Sequence, residues 1–279
     1  MILVDYNEMA ISSYLMTYKD EPEITVDLVR ESILNTIRSL NIKFKNDYGQ
    51  MVLAQEGHSW RRKEFPNYKY KRRQTKKESD IDWGKLEESL RTVGEEIRTY
   101  MPYAVIQHPH AEADDVIATL AKNIKEDTVI VSSDKDFVQL QKYDHIVQYS
   151  NRTKKMIVKE DPEFKLFEHI CRGDSGDGIP SILSDDNVFV NGVRQKPLRS
   201  TRIQKLYTHQ ENIQEHLAQD EFLHFQRNKK LISFDHIPET IQSDILDKYQ
   251  NWTPNPRRKM RLYLGGKGLK NLFEKIGDF

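Results

Sequence analysis

Cysteine is nearly missing from this chain: Cys171 is the only one in 279 residues. A single thiol excludes an internal disulfide framework and any zinc site built on paired cysteines, and it suits a reducing compartment. Long apolar runs are missing too. None approaches the ~20 residues that cross a bilayer. The opening stretch MILVDYNEMA has neither the basic start nor the small-residue cleavage site of a secretory leader. A cytoplasmic protein without a membrane partner is expected. Net charge is absent as well, with 43 basic against 43 acidic side chains, so bulk electrostatics announces no polyanionic partner. The nine histidines are scattered. His108 and His110 lack the carboxylate-and-imidazole spacing of a metal site and read as surface residues. No internal repeat, low-complexity linker or glycine-rich nucleotide loop is found.

What is present is charge sorted by place. Residues 60–77, WRRKEFPNYKYKRRQTKK, carry nine Lys or Arg against one Glu, with aromatics between them. RQKPLRSTRIQK (194–205) is basic without an acid, and NPRRKMRLYLGGKGLKNLFEK near the end is basic too. Acids instead cluster at the ends of apolar runs. Such segregation suggests cations gathered at the acids and polyanions held along the basic surfaces.

Apolar periodicity gives the organisation. ILVD, MVLAQ, YAVIQ and TVIV read as short buried strands, and IVQYS with KKMIV as a hairpin or edge strands. TVDLVRESILNTIRSLNIKF and IDWGKLEESLRTVGEEIRTYM read as amphipathic helices. Pro66 and the density of like charge argue against a buried helix in 60–77, which reads as a mobile, solvent-facing element. Alternation of strand and helix predicts an α/β protein with a parallel sheet. From about residue 160 the strand signal fades into a charged, helix-patterned remainder. We therefore expect residues 1–180 as an α/β domain, with 60–80 as a mobile basic bridge, and residues 181–279 as a smaller helical C-terminal domain.

Ligand sites in parallel sheets lie at the carboxyl ends of the strands. Asp5, Glu56, Asp134 and Asp136 all stand at or just past predicted strand ends, and Glu112, Asp114 and Asp115 follow another strand at the opening of a helix. Each group has an ordinary explanation. Acids in a first helical turn offset the macrodipole, Asp134 and Asp136 can cap the helix after them, and GDSGDG can be a polar turn. Four strand-end clusters together are harder to explain that way. Carboxylates crowded at one sheet edge repel unless a cation is present. Hard divalent ions such as Mg²⁺, or Mn²⁺ in its place, take oxygen ligands of this kind. Two such ions ~3.5–4 Å apart suit phosphodiester hydrolysis. Glu112 and Asp114 can both face the sheet edge where Asp5 and Asp134 end, with Asp115 behind them.

The motifs ILVDYN, VLAQEGHSWRRKEFPNYKYKR, AEADD, SSDKDF and GDSGDGIP, in this order from residue 2 to 180, resemble the 5′-nuclease superfamily. That superfamily comprises flap endonucleases, the 5′-exonuclease domains of bacterial DNA polymerases and the ribonuclease H enzymes of bacteriophages. LISFDHIP and GLKNLFEKIGDF extend the likeness to the phage branch over most of the chain. The resemblance implies a PIN-like 5′-nuclease fold: a mixed, mainly parallel central sheet flanked by helices, with the smaller helical C-terminal domain. It implies a phosphodiesterase working from 5′ ends on flap or branched DNA and RNA·DNA hybrids, with two Mg²⁺ ions. Asp5, Glu112, Asp114 and Asp134 match acids around the first ion. Asp136, Asp174 and Asp177 match acids around the second, and Asp115 an outer acid.

The basic segment matches the mobile bridge that holds the 5′ strand. There Arg61, Tyr68, Lys69, Lys71 and Arg72 would grip nucleic acid, and Arg61 and Lys69 would offset charge on the phosphate. Lys196, Arg199, Arg202 and Lys205 are the duplex-contact candidates. A monomer is expected, with a single-stranded DNA-binding protein as a neighbour on the substrate. Two positions depart from the pattern. Glu56 stands where the family carries Asp, and a second glycine-rich turn is replaced by SILSDDNVFVNGVRQKPLRSTRIQKL. Glu56 leaves a second reading open, a non-catalytic, structure-specific DNA-binding protein with a decayed metal site. A metal phosphohydrolase for small substrates is a third, disfavoured by the basic segments.

Overall fold

A computed structural model describes residues 1–18, 21 and 23–279. In chain order the elements are β1 (Ile2–Asp5), α1 (Tyr6–Tyr18), α2 (Val26–Tyr48), β2 (Met51–Gln55), α3 (Arg61–Glu64), α4 (Tyr70–Lys77), α5 (Trp83–Tyr100), β3 (Ala104–Gln107), α6 (Ala113–Asn123), β4 (Thr128–Val131), β5 (Ile146–Ser150), β6 (Lys155–Ile157), α7 (Pro162–Arg172), α8 (Ser200–Tyr207), α9 (Gln219–Ile232), α10 (Glu239–Gln250), α11 (Arg257–Gly266) and α12 (Lys270–Glu274). A 3₁₀ stretch, Lys135–Lys142, follows β4. The chain divides into two compact units. One comprises Met1–His58, Asp82–Val158 and Pro238–Phe279, and the other Ser59–Ile81 and Lys159–Ile237.

The first unit holds the six-stranded sheet, ordered β3-β2-β1-β4-β5-β6. All neighbours are parallel except β5 and β6. Ile2, Leu3 and Val4, like Val129, Ile130 and Val131, are fully buried, as a parallel sheet covered on both faces requires. The chain moves outward from β1 through β2 to β3, then returns to place β4 on the other side of β1. Helices α2 and α5 pack on each other and α6 packs on β1 and β2, so the right-handed rule for parallel crossovers puts α2 and α5 on one face and α6 on the other. The reversal falls between β1 and β4, and this is the switch point where such sheets bind ligands.

Helix α1 has no counterpart in the sequence expectation. Its Met9, Ala10 and Tyr14 are buried while Met16 is exposed, so its apolar residues make no clean stripe. The expected division at residue 180 also differs from the compact units, because residues 238–279 belong with the sheet. Side chains far apart in sequence make that attachment. Arg30 on α2 donates to Glu96 on α5 through Nε (2.6 Å) and Nη2 (2.9 Å), and also pairs with Asp27. Tyr263 (2.8 Å) and Lys267 (2.7 Å) of the C-terminal segment close on the same Glu96 carboxylate. Arg38 adds a pair to Asp278 at 2.6 Å. His108, expected at the surface, is buried, with Nε2 3.3 Å from Asp244 on α10.

The second unit is helical. Asp161 caps α7, accepting from the Phe164 amide at 2.9 Å, with Pro162 at the first helical position. Phe167 and Cys171 of α7 pack with Ile203, Leu206, Phe225 and Leu231, and the aromatics Phe65 and Tyr68 of the basic segment belong to the same core. That corrects the expectation of a wholly solvent-facing bridge. Helix α4 buries no side chain, but the stretch before it is anchored.

Candidate active site

At the β1–β4 switch point four acids converge. Asp5 ends β1 and is 8% exposed. One of its oxygens accepts from the Glu8 amide at 2.9 Å, so Asp5 also caps α1, a duty not expected of it. Burial pushes its carboxyl up to about 8, and the neighbouring charges of Glu56, Glu8 and Asp134 push the same way. The charged side chains acting on Asp5 are thus acids. Asp134 follows β4. Its carboxylate accepts from the Asp136 amide (2.9 Å) and its own amide donates to Ser132 Oγ (3.1 Å). Gln148 on β5, fully buried, donates to the carbonyls of Ser132 (3.0 Å) and Asp134 (2.7 Å), clamping this turn.

Glu56 is delivered from the end of β2 toward α6. The loop pairs backbone to backbone with the entry to that helix: Gly57 N–H to Ala111 O at 2.9 Å and His58 N–H to Pro109 O at 3.1 Å. A side chain at position 57 would place its Cβ 2.0 Å from the His108 carbonyl oxygen, so glycine is required for this approach. Glu56 Oε2 then accepts from the Ala113 amide at 3.0 Å, and the same carboxylate acts on Asp5. The longer side chain that departs from the family pattern therefore bonds the α6 backbone while its charge acts on Asp5.

Glu112 is the N-cap of α6 and is 4% exposed. Asp115 is fully buried and turns back to accept from the Glu112 amide at 3.0 Å. This is the reciprocal half of a capping box. Asp115, expected as an outer acid behind Glu112 and Asp114, fixes the backbone that carries Glu112, while Asp114 is half-buried in the first turn of the helix. The first-turn amides of α6 are used on these acids, Ala113 N–H on Glu56 and Asp115 N–H on Glu112, at the positive end of the helix dipole.

Glu8 was not expected. Burial raises its carboxyl above the ordinary range, partly offset by hydrogen bonds to Ser133 and by Arg152, while Asp134 raises it further. The signal was in the sequence: Asp5-x-x-Glu8 has capping-box spacing at the start of α1.

The acids expected around a second ion divide between the units, Asp136 in the first, Asp174 and Asp177 in the second. Gly173, at φ 68°, ends α7 where an added Cβ would lie 2.2 Å from the Ile179 carbonyl oxygen. Asp174 follows. Its Oδ1 accepts from the amides of Gly176 (2.7 Å) and Asp177 (3.1 Å), and its Oδ2 lies 3.0 Å from His169 Nε2. Asp177 is held by the basic segment: Tyr68 donates to it at 2.9 Å, Arg72 pairs at 3.2 Å and Lys69 at 3.8 Å, while the Lys69 amide donates to its carbonyl at 2.6 Å. Lys69, Tyr68 and Arg72 therefore anchor their own segment.

Arg61 corrects the expectation more sharply. It is 3% exposed, donates through Nε to the Leu231 carbonyl at 2.7 Å and stacks on Trp60. Lys71 stays exposed, with its ammonium 5.3 Å from the centre of the Phe189 ring. Of the duplex-contact candidates, Lys196, Arg199 and Lys205 are exposed and Arg202 is paired with Glu221 at 2.6 Å.

Comparison with known proteins decides the lineage. Residues 1–166 match the 5′-3′ exonuclease N-terminal resolvase-like domain, and residues 160–279 match the C-terminal domain of T4 RNase H. The chain belongs to the 5′-3′ exonuclease family. Ribonuclease H of Enterobacteria phage T4 is 33% identical over 291 residues, spanning 99% of this chain and 95% of that protein. Flap endonuclease Xni of Shewanella denitrificans is 35% identical over 139 residues, 44% of this chain and 50% of its own length. A bacteriophage T5 flap endonuclease complexed with DNA and metal ions shares the fold, with a TM-score of 0.62 at 19% identity over 90% of this chain and 99% of that one. The T5 5′-exonuclease with bound zinc does so with a TM-score of 0.58 at 15% identity, over 90% and 98%. As a member of this exonuclease family the chain is a nuclease, hydrolysing phosphodiester bonds. Among its described residues, no helix is long and apolar enough to cross a membrane.

Proposed function

We propose that this 5′-3′ exonuclease family member is Mg²⁺-dependent. In this reading it trims DNA from 5′ ends, cuts 5′ flaps and removes RNA from RNA·DNA primers during replication, using two ions. The observation that carries the reading is the acid cluster at the β1–β4 switch point, where the Asp5 carboxyl is pushed up to about 8 by burial and by other acids. A set of hard oxygen donors that repel one another fits a divalent cation. Asp5, Glu56, Glu112 and Asp134 would hold the first ion, with Asp114 beside them. When bound, such ions activate water and stabilise the charge developing on the phosphate.

The chain's own residues prepare the site. The capping bond to Asp115 keeps Glu112 at the helix start, Gln148 fixes the turn that carries Asp134, and the Ala113 amide holds the Glu56 carboxylate at the α6 N-terminus. The exposed cations Lys71, Lys196, Arg199 and Lys205 supply salt-dependent hold on the nucleic-acid backbone. Relatives named ribonuclease H and flap endonuclease support the substrate class. A decayed metal site is the weaker reading, because Glu56 still adds its charge to the acids around Asp5.

The test is a 5′-labelled flap and a 5′-labelled RNA primer hybrid, each with Mg²⁺ and with EDTA. Short products from the 5′ end in Mg²⁺ alone support the proposal. Tight binding without cleavage would establish the non-catalytic reading instead. Neither binding nor cleavage would point to a small-substrate phosphohydrolase.

A further inference from the structure

The second unit contains a cavity of about 570 Å³, within the ~300–1,000 Å³ range of small-ligand pockets. Its wall includes Lys71, Arg172, Ser175, Phe189, Arg194 and Lys196, and no acid lines it. Most of the wall comes from the loop 189–198, which replaces the glycine-rich turn expected there. Arg172 is committed to structure: it bonds Glu168, the Leu198 carbonyl and Ser200. Arg194 and Lys196 are exposed, and no acid stands beside them in the wall. Cations gathered in a concave site without a counter-charge favour an anion, and guanidinium with ammonium matches phosphate. Phe189 is half-buried and presents an aromatic surface in the same wall, which a nucleobase can stack upon.

From this combination we infer that the cavity is a binding site for a single nucleoside monophosphate unit, its phosphate on Arg194 and Lys196 and its base on Phe189. The unit comes either from an unpaired nucleotide of a strand or from a free mononucleotide. The site lies wholly within the second unit and uses none of the acids of the candidate active site.

Calorimetric titration of the full chain in EDTA tests this, with AMP, inorganic phosphate and a five-nucleotide thymidine strand as probes. AMP is expected to bind at least about tenfold more tightly than phosphate, the gain a stacked base provides. Phe189→Ala should abolish that advantage and leave phosphate affinity alone, Phe189→Trp should restore it, and Arg194→Ala should weaken both probes. AMP binding no tighter than phosphate, or insensitive to Phe189→Ala in a variant with unchanged circular dichroism, overturns the proposal. If the strand binds more tightly than AMP with the same variant sensitivities, the source is an unpaired nucleotide. If it does not, the source is a free nucleotide. The assay needs neither metal nor cleavage, so it fails or succeeds apart from the nuclease reading.

Discussion

Asp5→Asn should make the metal-free protein more stable. The Asp5 carboxyl is raised from an ordinary 3.8 to about 8, first by burial and then by Glu56, Glu8 and Asp134. In the unfolded chain it ionises near 3.8, so between the two values the native state holds the extra proton. Its stability contribution is therefore fully present below 3.8 and is lost as pH rises through about 8. At pH 7 this covers about three units, or about 4 kcal/mol at ~1.4 kcal/mol per unit. Asparagine removes the titration and keeps an oxygen to accept from the Glu8 amide. With ~2–4 °C per kcal/mol for chains of this size, the variant should melt on the order of 10 °C above the parent in EDTA at pH 7. The two should converge near pH 4. Saturating Mg²⁺ should raise the parent, by about 2.7 kcal/mol at a hundredfold excess over Kd, and raise the variant less. The assay is calorimetric melting from pH 4 to 9, with and without Mg²⁺. A variant no more stable than the parent in EDTA at pH 7, or a parent whose melting point is level from pH 4 to 8, would refute the reasoning.

Asp115→Ala removes the acceptor for the Glu112 amide. It should weaken Mg²⁺ binding by about 10–100-fold, as loss of a supporting residue does, and unchanged Mg²⁺ dependence of cleavage would remove its positioning role. Glu96→Gln breaks the carboxylate shared by Arg30, Tyr263 and Lys267, which should lower stability at pH 7 by about 3 kcal/mol. Burial opposes ionisation of Glu96, but hydrogen bonds from these three groups outweigh it and hold the carboxyl down at about 2. Its contribution is present above the ordinary 4.5 and is lost as pH falls toward 2, so parent and variant should draw together in acid denaturation curves. Burial pushes the Cys171 thiol up to about 12. It should therefore react with a thiol reagent at neutral pH only after unfolding, and immediate labelling of the native chain would contradict its placement in the core.

The strands and their acidic ends were readable because both signals are local. A run such as ILVD or TVIV is buried on two faces whatever lies beyond it, and its terminal acid stands at a fixed offset. Glu8 was readable in principle from its spacing to Asp5, but it falls inside α1, whose apolar residues show no stripe. Arg61 was misread because its charge dominates a linear view. Only packing shows the guanidinium against Trp60 and the Leu231 carbonyl. His108 was misread for the same reason, since its partner Asp244 lies 136 residues away.

By itself the sequence determined the alternation of strands and helices, the acids at the strand ends and the family. Each depends on residue type and short-range order. Tertiary structure alone decided what each charged group does. Asp115 holds the helix start, Asp177 secures Lys69 and Arg72, and Glu56 bonds the Ala113 amide while its charge acts on Asp5. It also decided that residues 238–279 return to the sheet, through a carboxylate on α5 shared by side chains from both ends of the chain. The physical reason is range: a hydrogen bond acts over about 3 Å in space, and only the fold sets which residues come that close.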